Sequence, residues 1–133
     1  MQNVRYPIVF LIVFFLSSTI HASGGGGGSS PYYSIKPPFV VNVNDGDRVR
    51  HMQITTQLHA TDVSNVSHLE LHKPAIQHAL VTLFSGRDMD AVKTVAGKQK
   101  LREEALKIVQ KVMKENAGIP VVDAVYFTDF IIQ

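Results

Sequence analysis

The run Ala124-Val125-Tyr126-Phe127-Thr128-Asp129-Phe130-Ile131-Ile132-Gln133 closes the sequence and does most to limit the fold. Its aromatic and β-branched side chains favour a strand, and Asp129 is its single charge. A strand this apolar cannot fray as an ordinary terminus does, because its open edge would recruit other chains. It is expected to be tied into a sheet. Tyr126, Thr128, Phe130 and Ile132 would point one way, and Val125, Phe127, Asp129 and Ile131 the other. Both sets carry apolar groups, which predicts burial on two sides within the sheet, with a subunit contact as the alternative.

Two further strands precede it. Tyr32–Asn44 reads as extended, broken by Pro37-Pro38, which cannot donate to a ladder. Asn44-Asp45-Gly46-Asp47 is a hairpin turn, since Asp-Gly accepts positive φ cheaply. The returning strand Arg48–Ala60 alternates: Met52, Ile54, Leu58 and Ala60 share one face, and His51, Gln53, Gln57 and His59 the other. One face is therefore buried and one wet.

Asp62 or Ser64 is placed to cap a helix carrying Val66, Leu69, Ile76, Leu80 and Leu83 at helical spacing, with a kink or fresh start at Pro74. Ser85-Gly86-Arg87-Asp88 ends it. After a short turn near Met89–Val92, a second helix is predicted over Ala96–Asn116. Its stripe is Leu101, Ala105, Ile108 and Val112, its supporting pair is Glu103 with Lys107, and Gly118 and Pro120 stop it. The order β-β-α-α-β predicts an α+β domain in which two amphipathic helices cover one face of a small antiparallel sheet.

The front of the chain is a different object. Arg5 precedes the apolar run Ile8–Leu16, and small and polar residues follow to Ala22. Residues 1–22 read as a signal peptide cleaved after Ala22 or as a short membrane anchor; either carries the remainder across a membrane. Residues 23–31, with five consecutive glycines, are a linker. No Gly-Lys-Ser/Thr closes those glycines into a phosphate loop. The chain has no cysteine, so disulfides and thiolate chemistry are excluded. A net charge of +2 does not argue for nucleic acid.

Two segments carry a family resemblance: Ala96-Gly97-Lys98-Gln99-Lys100-Leu101-Arg102-Glu103-Glu104-Ala105-Leu106 and Val125-Tyr126-Phe127-Thr128-Asp129-Phe130-Ile131-Ile132-Gln133. Phe39-Val40-Val41-Asn42 and His72-Lys73-Pro74-Ala75-Ile76 agree with them. Over residues 32–133 the chain resembles the flagellar basal body-associated protein FliL family. The resemblance implies a periplasmic domain related in fold to the stomatin/prohibitin module. It also implies a protein of the inner membrane that self-associates and joins flagellar stator proteins and other basal-body components, without catalysis or cofactor. A cleaved leader would instead leave the domain soluble in the periplasm.

Against that background the basic residues Lys93, Lys98, Lys100, Arg102, Lys107, Lys111 and Lys114 admit two readings. One is a solvated helix face; the other is contact with anionic headgroups or an acidic stator surface, for which Lys98, Lys100, Arg102, Lys107, Lys111 and Lys114 are the candidates. No aromatic residues interleave with them, which argues against single-stranded nucleic acid. Tyr126, Phe127, Asp129 and Phe130 are the candidates for fold or assembly. His68, His72 and His78 have the spacing of a metzincin zinc site, which raises a zinc peptidase as an alternative. Glu70, however, stands two residues after His68, about 200° around a helix, and Ala75 replaces the turn glycine. A generic periplasmic binding module is the other alternative. His51 and His59, on the wet strand face, would make an interface pH-sensitive. Asn65-Val66-Ser67 fits a glycosylation acceptor but reads better as a helix cap.

Overall fold

Strong local turn chemistry starts the fold. Gly46 adopts φ +61°, and the hairpin it closes pairs β1 (Tyr32–Asp45) with β2 (Arg48–Ala60) along their length. The computed structural model describes residues 30–133; residues 1–22 and the glycine run of the linker lie outside that range. β2 alternates as expected, with Met52, Ile54, Leu58 and Ala60 fully buried, and Thr56 joins them on that face. The Thr56 hydroxyl is buried without a hydrogen-bond partner.

β1 runs through Pro37-Pro38 rather than stopping there. Pairing with β2 lapses after Ile35 and resumes at Phe39, so the prolines sit in an irregularity where no donor is required. Gln77 Nε2 donates to the Lys36 carbonyl at 3.2 Å and covers that part of the edge.

After β2, the Asp62 carboxylate accepts from Ser64 N at 2.8 Å and caps a single 3-10 turn, Val63–Asn65. The Ser64 hydroxyl, which donates to the same oxygen, and then this backbone bond lower the Asp62 pKa. Asn65 makes no side-chain cap; its amide donates to Thr61 Oγ1 at 2.9 Å, which corrects the expected capping role. Helix α1 (Val66–Leu71) stops at His72, and α2 (Lys73–Phe84) starts afresh with Pro74 in its first turn, where a missing N–H costs nothing. Tyr33 Oη donates to the Glu70 carboxylate, tying α1 to β1; burial first, then Glu70, raise the Tyr33 pKa.

The chain then bends at Gly86, whose N–H donates to the Asn42 carbonyl at 2.9 Å. This draws Arg87–Asp88 alongside β1 as a two-residue parallel strand, β3. A four-residue helix α3 (Met89–Val92), the long α4 (Val95–Ala117) and β4 (Val122–Ile132) complete the domain. The sheet order is β3-β1-β2-β4.

The α+β class stands, with helices covering one sheet face, but the expected order and wholly antiparallel sheet do not. Short elements such as β3 and α3 are too brief to show a period in the sequence. β4 is also an edge strand paired only with β2, not the central strand expected.

Helix α4 starts one residue earlier than predicted because the Thr94 hydroxyl accepts from Gly97 N at 2.9 Å. Its buried row is Leu101, Ala105, Val109 and Met113, with Ile108 and Val112 only half-buried. Glu103 accepts from Gln99 at 2.8 Å, not from Lys107, and Lys111 with Glu115 at 3.9 Å forms the i,i+4 ion pair instead. Arg87 joins the two halves, donating to the Leu83 carbonyl at 2.8 Å and to Glu104 at 2.5 Å.

Gly97 is demanded by packing. A Cβ there would lie 2.0 Å from the Ala91 carbonyl oxygen, so α3 and α4 can meet only over glycine. Gly97→Ala is expected to destabilise the domain by about 1–3 kcal/mol in urea titration, and an unchanged midpoint would show that this turn has slack. Thr56→Val, which removes the unpartnered hydroxyl, should be neutral or stabilise by up to about 1 kcal/mol in the same titration; a loss above that would mean that the hydroxyl is satisfied.

Candidate partner-binding cleft

Residues three apart in a strand normally face opposite ways, yet Phe127 and Phe130 of β4 face the same way. The cause is an extra residue. Thr55 pairs with Asp129 and Thr56 with Phe127, leaving Thr128 outside the register, its hydroxyl donating to the Thr55 carbonyl at 3.4 Å. A second irregularity leaves Asp123 unpaired between Val122 and Ala124. The bulge at Thr128 resets the alternation, so Val125 and Phe127 before it and Phe130 and Ile132 after it all turn toward the helices. The two apolar faces expected of this strand are therefore one core face. Tyr126 and Ile131 are left outside, 40% and 43% exposed.

The first half of α4 lies beside this bulged edge. Successive helical residues turn by about 100°, so Lys98 and Arg102 fall within about 40° of each other, next to the buried row. Lys100, Lys107, Lys111 and Lys114 gather on a separate stripe about 120–180° away from them and are exposed. The basic residues thus occupy two faces of α4, and Lys93 lies outside the helix, paired with Asp90, whose hydrogen bond and charge raise its pKa.

Between α4 and β4 is an open cleft of about 440 Å³, lined on one side by Val95, Lys98, Gln99 and Arg102 and on the other by Phe127, Thr128 and Phe130. It continues along the strand into a second hollow of about 270 Å³, which shares Gln99 and Arg102 and adds Glu103, Leu106 and the stretch Asp123–Tyr126. Phe127 and Phe130 floor the first part, with ring centroids 6.0 Å apart. Lys98 Nζ stands 4.6 Å from the Phe130 centroid, within cation–π range. Arg102 donates to the neutral Gln99 Oε1. The two candidate groups picked from separate parts of the sequence, the basic helix and the terminal strand, meet here through Lys98, Arg102, Phe127 and Phe130. Tyr126 borders the second hollow.

Elsewhere the candidates do not converge. His68 and His78 are exposed on different helices, and no group of three or more His, Asp or Glu among the described residues is placed to hold a metal ion. On the outer sheet face His59 Nδ1 lies 2.5 Å from Asp123 Oδ1 and its ring 4.8 Å from that of Tyr32, while His51 Nδ1 lies 2.9 Å from Asn42 Oδ1. No helix among the described residues is long and apolar enough to cross a membrane. Sequence reasoning missed Val95, Gln99 and Thr128. The adjacent polar pair Thr128-Asp129, inside an otherwise apolar strand, was the available sign of a bulge.

Residues 32–133 match the family described as flagellar basal body-associated protein FliL. The chain belongs to the FliL family. A flagellar protein FliL of Aquifex aeolicus (strain VF5) is similar, 28% identical over 101 residues that make up 76% of this chain and 60% of that protein. The chain thus aligns with about three-fifths of that relative's length. Both segments that carried the resemblance in the sequence border the cleft, and family membership supports association with the flagellar basal body.

The cleft and the core beneath it are separable. Alanine at Lys98 or Arg102 should change unfolding free energy by no more than about 0.5 kcal/mol, whereas Phe127→Ala should cost about 2–4 kcal/mol. Equal costs at all three positions would show that the cations hold the fold together.

Proposed function

We infer that this FliL-family chain is a non-catalytic accessory of the flagellar motor, held at the periplasmic face of the inner membrane, where it self-associates and binds stator units and other basal-body components. Family membership supports the motor, and the meeting of Lys98 and Arg102 with Phe127 and Phe130 in one open cleft is the observation that carries a binding role. Side-chain chemistry in the cleft favours recognition over reaction. It offers cations, amide groups and aromatic faces, without a histidine, a paired carboxylate or an activated hydroxyl among its lining residues.

The exposed stripe Lys100, Lys107, Lys111 and Lys114 takes the second role, facing anionic headgroups or an acidic stator surface. Its lysines stand on the far side of α4 from the cleft, so the two surfaces can be occupied together. Electrostatic attraction of this kind is screened within about 10 Å at moderate salt, so association through this face weakens as salt rises. Residues 1–22 supply the route of export, as leader or anchor, and residues 23–31 the tether. Nucleic acid is not a partner of this surface.

Cells lacking the protein should lose swimming speed most in viscous medium, where motor load is high. Tracking that finds equal speeds at every viscosity would contradict the motor role. Lys107→Glu with Lys111→Glu should weaken association with stator-containing membranes by about tenfold at low salt without lowering the urea midpoint, as measured by co-sedimentation. Unchanged co-sedimentation would return that stripe to plain solvent.

A further inference from the structure

The cleft is apolar at its floor and positive at its rim, and that combination defines what fits it. Val95 is 87% exposed at the mouth, and Phe127 and Phe130 are only half-buried beneath it. Exposed apolar groups contiguous with an aromatic floor mark a contact surface. Lys98 and Arg102 have no carboxylate partner among the described residues. Nearby cations are differently placed, Arg87 on Glu104 and Lys93 on Asp90. Two cations without a carboxylate partner, one of them over the Phe130 ring, therefore call for a carboxylate from outside the domain.

The strand supplies direction. β4 pairs only with β2, so its other side is a free edge running the length of the cleft. Between the irregularities at Asp123 and Thr128, Ala124–Phe127 keeps a regular register, long enough to present backbone groups to a short extended segment. Charge changes sign along the groove: Lys98 stands at the Phe130 end, Arg102 lines both hollows, and Glu103 and Asp123 stand at the other end. The other sheet flank is interrupted: β3 pairs with Val43 and Asn44, Gln77 bonds the Lys36 carbonyl, and Pro37-Pro38 cannot donate.

The geometry points to a binding site for an extended acidic segment of another protein: it lies along the free edge of β4, inserts one aromatic or large aliphatic side chain between Val95 and Phe130, and sets a carboxylate on Lys98 and Arg102. A volume near 440 Å³ suits one such side chain with its neighbouring backbone, at the lower end of ligand-sized sites, roughly 300–1,000 Å³. This rests on the reading of the protein as a binding component, and names the chemistry of the segment it binds.

The test uses the purified full chain and two short dye-labelled peptides with Ser/Gly flanks, one carrying Phe-Asp-Asp and the other Phe-Lys-Lys, followed by fluorescence anisotropy. The Phe-Asp-Asp peptide should bind at least about tenfold more tightly. Lys98→Glu with Arg102→Glu should reverse that preference, a result that misfolding cannot produce. Phe130→Leu, which keeps an apolar floor without the ring, should weaken the Phe-Asp-Asp peptide severalfold with its charge preference intact. Equal binding of the two peptides, or a Phe-Asp-Asp affinity unchanged by the charge reversal, overturns the proposal. So does failure of the peptide alongside binding of phosphatidylglycerol vesicles through Lys98 and Arg102, which would make this a lipid site. Failure alongside self-association that disappears with the same reversal also overturns it, making the occupant a second copy. The motor role is tested separately by swimming under load, so a strain with a load defect and a cleft that ignores the peptide would remove this proposal alone.

Discussion

A chain of aromatic contacts fixes the geometry on which the rest of the domain depends. Phe39 of β1 meets Phe84 of α2 edge-on with centroids 5.4 Å apart, Phe84 meets Phe127 of β4 at 5.7 Å, and Phe127 meets Phe130 at 6.0 Å. Lys98 of α4 closes the series over the last ring. Each T-shaped pair contributes about 0.5–1.5 kcal/mol beyond the apolar area it buries. More important is the path they trace, from the middle of the sheet through the helical layer to the surface cleft. The bulge at Thr128 makes this path possible. Without an extra residue there, Phe130 would turn to the outer sheet face, and the cleft would lose half its floor.

The two flanks of the sheet are treated differently. On the β1 side, prolines, a two-residue parallel strand and the Gln77 side chain interrupt the edge. On the β4 side, the edge is bent by two irregularities and carries Asp123 and Asp129, which discourage indiscriminate strand pairing. A regular stretch nevertheless remains between them, beside the cleft. An edge guarded at its ends and open in its middle is suited to a short partner segment and unsuited to unlimited sheet growth. That physical distinction links the strand's composition to the binding role proposed for the family member.

Much of this was legible in the residues. Alternation along Arg48–Ala60, the Asp45-Gly46 turn, the restart at Pro74 and the stop at Gly118 each follow from local chemistry, and each is present. The position of β4 was not legible, because a strand with apolar groups at odd and even positions looks the same whether buried on two sides or bulged at an edge. The bulge converts the second case into the appearance of the first. β3 was invisible for a different reason: two residues have no periodicity, and their pairing depends on Gly86 meeting Asn42 across the fold. The α4 stripe slipped by one position after Ala105 because Ile108 and Val112 are as apolar as the Val109 and Met113 that are buried. Lys98 and Arg102 were visible as basic residues, but their separation from Lys100, Lys107, Lys111 and Lys114 required knowing which side of α4 faces β4.

The most direct test of this account is the set of proton–proton contacts made by the Phe130 ring in solution, read by nuclear Overhauser spectroscopy on labelled protein. A bulge at Thr128 predicts contacts from Phe130 to the Phe127 ring and to the Lys98 side chain, with the Thr56 backbone opposite Phe127 and the Thr55 backbone opposite Asp129. Contacts from Phe130 to the outer-face side chains Gln53 and Val40, with Thr55 opposite Thr128, would mean a regular strand and no cleft.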